Sequence, residues 1–235
     1  MKNTRNTLML NQVANRLKPL LEQLVFVGGA TVDLLLTDQA AQTARPTEDV
    51  DTIINVTSKH AYDQISQILM TLGWQNDTES GVICRWVQNS LILDVMPTKE
   101  EILSFSNPWY PEAIENSQRH ELESNVIFAN SAPYFIASKL VAWKQRGQQD
   151  YMTSKDLEDI VLVFDGRIEL PEEIKNSKAN VQAFIAAELT VLLEDQRFLE
   201  LIEGFVPYDQ PERAFMLVQR MKAVARAGGS RVSVA

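Results

Sequence analysis

The feature that most restricts this chain is Leu-Val-Phe-Val at 24–27, closed by Gly28-Gly29. Asp49-Val50-Asp51 follows, twenty positions past the second glycine, at the head of a β-branched run. An apolar run ending on a glycine pair predicts a buried strand that turns sharply into a helix, here over 29–38. The β-branched content of 49–56 predicts a strand. Alternate residues of a strand share a face, so Asp49 and Asp51 point the same way. Two converging carboxylates are costly unless a cation lies between them, and hard oxygen donors suit Mg²⁺ or Mn²⁺. For the pair taken alone, a loop exit with one capping carboxylate is the plainer account.

Asp94 adds weight. It interrupts the otherwise apolar "SLILDVMP" (90–97), where a carboxylate without a partner is expensive. If that strand runs beside 49–56, Asp94 completes a three-carboxylate cage able to hold metal for an in-line phosphoryl displacement; an exposed strand-end Asp is the alternative. Gly28 and Gly29 leave backbone N–H groups open to close approach by phosphate. Arg45 and Thr47, in "RPTEDVD", precede the carboxylates. Arg45 either balances phosphate charge, holds an acidic residue or is a solvated loop side chain. Thr47 either orients Asp49 or caps the loop.

Around these residues the chain reads as two regions: 1–130, a mixed α/β head, and 131–235, a mainly helical remainder. The spacing predicts helices over 6–22, over 58–72 (capped by Ser58 and followed by Gly73), over 131–147, 153–166, 178–203 and 211–227. Strands are predicted at 24–27, 49–56, 81–87, 90–97 and 125–129, with Gln88-Asn89 as a hairpin turn. The stretch "DGRIELPEEI" offers only a turn and a helix start. The expected fold class is therefore α/β (α+β), a small mixed sheet with helices followed by a helical half.

Composition excludes several classes. One cysteine, Cys84, cannot form an internal disulfide, and two histidines leave little for His-rich metal chemistry. A formal charge of −9 argues against a general basic field for polyanions, so a nucleic acid would need a local patch. Lys144, Arg146 and Lys155 are such a candidate cluster, with a solvated face as the alternative. No apolar run reaches the ~18–20 residues of a membrane span, and the opening residues lack the apolar core of a secretory leader. The expectation is a cytoplasmic protein without a membrane partner.

Gly-Gly, then Arg-x-Thr-x-Asp-x-Asp, then a lone Asp in a downstream apolar strand resembles the nucleotidyltransferase fold of the DNA polymerase β superfamily. The Arg-x-[Ser/Thr]-x-Asp-x-Asp form resembles the abortive-infection nucleotidyltransferase toxins of type IV toxin–antitoxin systems. The resemblance covers about 26–165. It implies transfer of a nucleotidyl group from an NTP, with Mg²⁺ or Mn²⁺ on Asp49, Asp51 and Asp94. Ala30 stands where the pattern often has Ser or Thr, and Thr31 follows one step later as the hydroxyl candidate for phosphate. "SKLVAWKQRG" and "SKDLEDI" match the family's later Lys helix and its basic-Asp-x-x-Asp helix. By that match Lys139 meets nucleotide phosphate and Asp156 assists catalysis as a base. From the residues themselves, the alternatives are that Lys139 snorkels past Trp143 and that Asp156 serves the helix dipole. The implied acceptor is tRNA or a protein, and a toxin would have a cognate antitoxin. Two alternatives stand beside this reading: a small-molecule nucleotidyltransferase of the aminoglycoside-modifying kind, and a non-catalytic nucleotide- or partner-binding module of the same fold.

Overall fold

The structure, a computed structural model, describes residues 4–146, 150–206 and 210–229. It has the mixed α/β class expected and divides into two compact units. The first comprises 1–34 and 43–131, and the second 35–42 and 132–235.

The first unit is built on a seven-stranded mixed sheet. Its strands are β1 (Leu24–Val27), β2 (Asp49–Ile54), β3 (Gln75–Asn76), β4 (Arg85–Gln88), β5 (Leu91–Pro97), β6 (Gln118–Glu121) and β7 (Val126–Ala129), in spatial order β3-β4-β5-β2-β1-β7-β6. β1 is buried at every position and lies between antiparallel β2 and parallel β7. β2 and β5 run parallel with Asp51 directly opposite Asp94, and Thr52 Oγ1 donates to the Asp94 carbonyl at 3.0 Å. The helices are α1 (Arg5–Arg16), α2 (Val32–Leu35), α3 (Lys59–Thr71), α4 (Glu100–Leu103) and α5 (Tyr110–Glu115). Leu10, Val13 and Leu17 in and after α1, Tyr62, Ile65 and Leu69 of α3, and Phe26, Val50 and Leu93 of the sheet form one apolar core.

Several local expectations are corrected. The predicted helix 6–22 ends at Arg16, and Lys18–Leu20 forms a 3-10 turn, because Pro19 restricts the residue before it and lacks an N–H. The helix expected over 29–38 is a 3-10 turn at Gly29–Thr31 and a single α-turn, α2. In place of a strand over 81–87, pairing to β5 begins only at Arg85. The hairpin turn is Asn89-Ser90 rather than Gln88-Asn89: Gln88 pairs with Leu91, and Asn89 adopts φ 55°. β3, α4, α5 and β6 had no clear sequence signal.

The second unit is helical: α6 (Ala132–Gln145), α7 (Lys155–Gly166), α8 (Leu170–Lys175), α9 (Ala179–Glu194), α10 (Gln196–Phe205) and α11 (Pro211–Gly229). Gly147, the predicted stop of α6, lies outside the described residues. Ser154 caps α7, its side chain accepting from Leu157 N. The helix predicted over 178–203 breaks at Asp195, which leaves helical geometry and caps α10 through Arg197 N at 2.9 Å. Segment 35–42 belongs to this unit: Thr37 and Asp38 N–H groups both donate to the Gly166 carbonyl, and Arg167 Nη1 donates to Leu35 O. Among the described residues no helix is long and apolar enough to cross a membrane.

Candidate active site

The two halves of the opening motif meet in the first unit. Val27 pairs with Asp51 across β1 and β2, which brings the glycine turn onto the second aspartate. Gly28 has φ 74° and ψ −171°, a region that is essentially glycine-only. A Cβ at Gly28 would lie 2.0 Å from Asp51 Oδ2, so the missing side chain is the space the carboxylate uses. Asp94 stands opposite Asp51 on the neighbouring strand, and Asp49 lies two residues before Asp51. All three carboxylates therefore leave one face of two adjacent parallel strands.

The cation among them is one the sequence reading missed. Arg85 of β4 pairs across the hairpin with Asp94. Its Nε and Nη2 donate to Asp94 Oδ1 at 2.9 Å and Oδ2 at 2.8 Å, and Nη2 also donates to Asp49 Oδ2 at 2.8 Å. Asp94 is 8 % exposed, Arg85 19 % and Asp49 35 %, so the cluster opens towards Asp49. The Asp94 hydrogen bonds hold the Arg85 guanidinium above its ordinary value, against the opposing effect of burial. Nearby Cys84, 2 % exposed, has its thiol pushed up to about 12 by burial, then by Asp94 and Asp51.

The remaining residues of the head hold the loop. Thr31 Oγ1 donates to the Gly28 carbonyl at 2.8 Å and is fully buried, so this hydroxyl secures the turn itself. Thr47 Oγ1 donates to the backbone carbonyl of Asp49, 3.2 Å away, rather than to its carboxylate. Asn6 of α1 clamps the same loop, donating to Arg45 O at 2.9 Å and accepting from Thr47 N at 3.0 Å. Arg45 is half-buried. A groove of about 650 Å³ adjoins the start of β2, lined among others by Arg5, Leu8, Gln12, Glu48 and Ile92.

Lys139 and Asp156 belong to the second unit, where they form a cluster of their own. Lys139 Nζ lies 3.1 Å from Asp156 Oδ1 and 2.6 Å from Asp159 Oδ2, and Arg146 Nη1 lies 2.7 Å from Asp156 Oδ2. Burial works against the Lys139 ammonium, but Asp159 and Asp156 outweigh it and raise its pKa. Lys144 of the candidate basic patch pairs with Glu188 at 2.6 Å, so two of that patch's cations are neutralised locally.

Among the described residues no three acid, histidine or cysteine side chains stand gathered as a metal cage; a guanidinium bridges Asp49 and Asp94. The donor set nevertheless suits a hard divalent ion. It consists of carboxylates from adjacent strands, and it already binds a cation through its oxygens.

No protein-family model matches the chain, and no curated protein matches it. Among solved structures it is similar to an antigenic nucleotidyltransferase-like protein from Paracoccidioides brasiliensis. The TM-score is 0.52, with 17 % identity over 95 % of this chain and 94 % of that one. At that identity the likeness establishes architecture: the chain has a nucleotidyltransferase-like fold.

Proposed function

We propose that this protein is a nucleotidyltransferase, moving a nucleoside monophosphate from an NTP to an acceptor hydroxyl with pyrophosphate as leaving group. The apposition of Gly28 and Asp51, with Asp94 in register beside it, is the observation that carries this reading. Asp49, Asp51 and Asp94 would hold Mg²⁺ or Mn²⁺, which when bound would neutralise phosphate charge and favour in-line displacement. Gly28 lets the Asp51 carboxylate lie against the turn, which would set a metal held there beside the main chain at Gly28-Gly29. Thr31, Asn6 and Thr47 keep the turn and the loop rigid, which fixes the carboxylates before substrate arrives.

The acceptor is tRNA or a protein, and in the toxin form of this reading a cognate antitoxin restrains the activity. With a net charge of −9, a nucleic-acid acceptor would be held by local contacts, and its binding would show a shallow salt dependence. Lys139 as a phosphate contact and Asp156 as a base both require their mutual ion pair to open, so Asp156→Asn separates a catalytic role from a structural one: a base loses rate without losing fold.

The test is transfer of label from α-labelled NTPs to tRNA and protein acceptors with Mg²⁺ or Mn²⁺. Asp51→Asn and Asp94→Asn should each lower transfer at least a hundredfold in folded protein. Absence of turnover with all four NTPs and every acceptor would overturn the proposal. Growth arrest on expression, relieved by Asp51→Asn, is the outcome expected of a toxin.

A further inference from the structure

We propose that Arg85 is the resident cation of the carboxylate cluster, so that a divalent ion enters by displacing its guanidinium from Asp49 and Asp94. This inference rests on the nucleotidyltransferase reading and names a positioning residue for it. Three observations lead to it. The guanidinium bonds both oxygens of Asp94 and one of Asp49, all within 2.9 Å, so it occupies the oxygens a metal would need. Asp49 and Asp94 carry like charges on adjacent strands, and without a counter-ion between them their repulsion would spread the site. Arg85 is placed by the hairpin register opposite Asp94, so its position is set by the sheet and not by a mobile loop.

The two cations compete for those oxygens. Each N–H takes one lone pair of the oxygen it bonds, and a guanidinium charge so close repels a divalent ion on the same carboxylates. Arg85 thus preserves the geometry of the aspartates while no metal is present, and sets a threshold that a free ion must exceed. Nucleotide-bound metal, brought in with its triphosphate, has additional contacts with which to displace it. The side chain is partly open and lies towards the more exposed Asp49, so it has a way out.

The test uses the full chain without nucleotide. Mn²⁺ affinity is measured by electron paramagnetic resonance for the wild type, Arg85→Gln and Arg85→Gln/Asp94→Asn. Arg85→Gln should bind at least tenfold more tightly than the wild type, and the added Asp94→Asn should abolish the gain. A merely structural Arg85 would give the opposite sign, because its loss would loosen the carboxylates. A second arm needs no variant: the ¹⁵N signal of Arg85 Nε–H should be protected from exchange without metal and lose protection as Mg²⁺ saturates. Equal or weaker Mn²⁺ binding by folded Arg85→Gln, or an Nε–H signal unmoved at saturating Mg²⁺, overturns the role of Arg85 while NTP turnover stands. No Mn²⁺ binding and no turnover in either protein overturns the nucleotidyltransferase reading with it.

Discussion

Replacing Gly28 by alanine tests the centre of the site with one methyl group. The residue sits at φ 74° and ψ −171°, where a non-glycine residue costs about 1–3 kcal/mol. The new Cβ would stand 2.0 Å from Asp51 Oδ2, 2.8 Å from Cγ and 2.9 Å from Cβ, whereas ordinary contact begins at 3.4 Å. Asp51 or the turn must therefore move by about 1.4 Å at the closest atom. A misplacement of about 1 Å at a reacting centre is enough to cost about a hundredfold in rate. Gly81→Ala supplies the control, since Gly81 shares φ 74° and its Cβ would meet nothing within 4 Å. Urea denaturation should show both variants destabilised by about 1–3 kcal/mol, with the larger loss at Gly28. Nucleotidyl transfer should fall about a hundredfold only in Gly28→Ala. If Gly28→Ala matches Gly81→Ala in both stability and turnover, Asp51 does not depend on the glycine and the site as described is wrong.

Lys139→Met leaves Asp156 and Asp159 buried without their shared ammonium, and should cost about 3–5 kcal/mol in chemical denaturation. Because the Lys139 pKa is raised in the fold, its contribution is complete below the ordinary value of 10.5 and is lost as pH rises through the raised one. Cys84, with its thiol pushed up from 9.0 to about 12, should resist thiol reagents at pH 8 until the protein unfolds. The same shift predicts stability falling by up to about 1.4 kcal/mol per pH unit from pH 9 towards 12, a contribution to the alkaline slope that Cys84→Ala should subtract. Tyr62→Phe removes the donor to the Val95 carbonyl at 2.8 Å between α3 and β5, and should lower stability by about 1 kcal/mol, read from the denaturation midpoint.

Local sequence determined much of this protein. An apolar run meeting two glycines, and a β-branched run opening on Asp-x-Asp, fixed β1, its turn and β2, because strand burial and left-handed backbone each admit few residue types. The placement of Asp94 in an apolar stretch announced that it needed a partner. Ser58 announced the start of α3. What the sequence left open was which partner each group would find. A turn at Gln88-Asn89 would have set Arg85 opposite Ile92. The observed turn at Asn89-Ser90 shifts the pairing and sets it opposite Asp94. Moving the turn by one residue shifts the register by two and decides this, and register depends on turn geometry and on packing of the whole sheet more than on the strand's own composition. The same holds for Lys139 in the second unit. Its place on a helix left a phosphate contact and snorkelling both open, and only the packing of α6 with α7 supplied Asp156 and Asp159 as the anions it meets. Local propensity thus marked β1, β2 and α3 and named the aspartates as candidates, whereas tertiary structure decided which charges face one another, because a charge pair is formed by side chains distant in sequence that only the fold brings to about 3 Å.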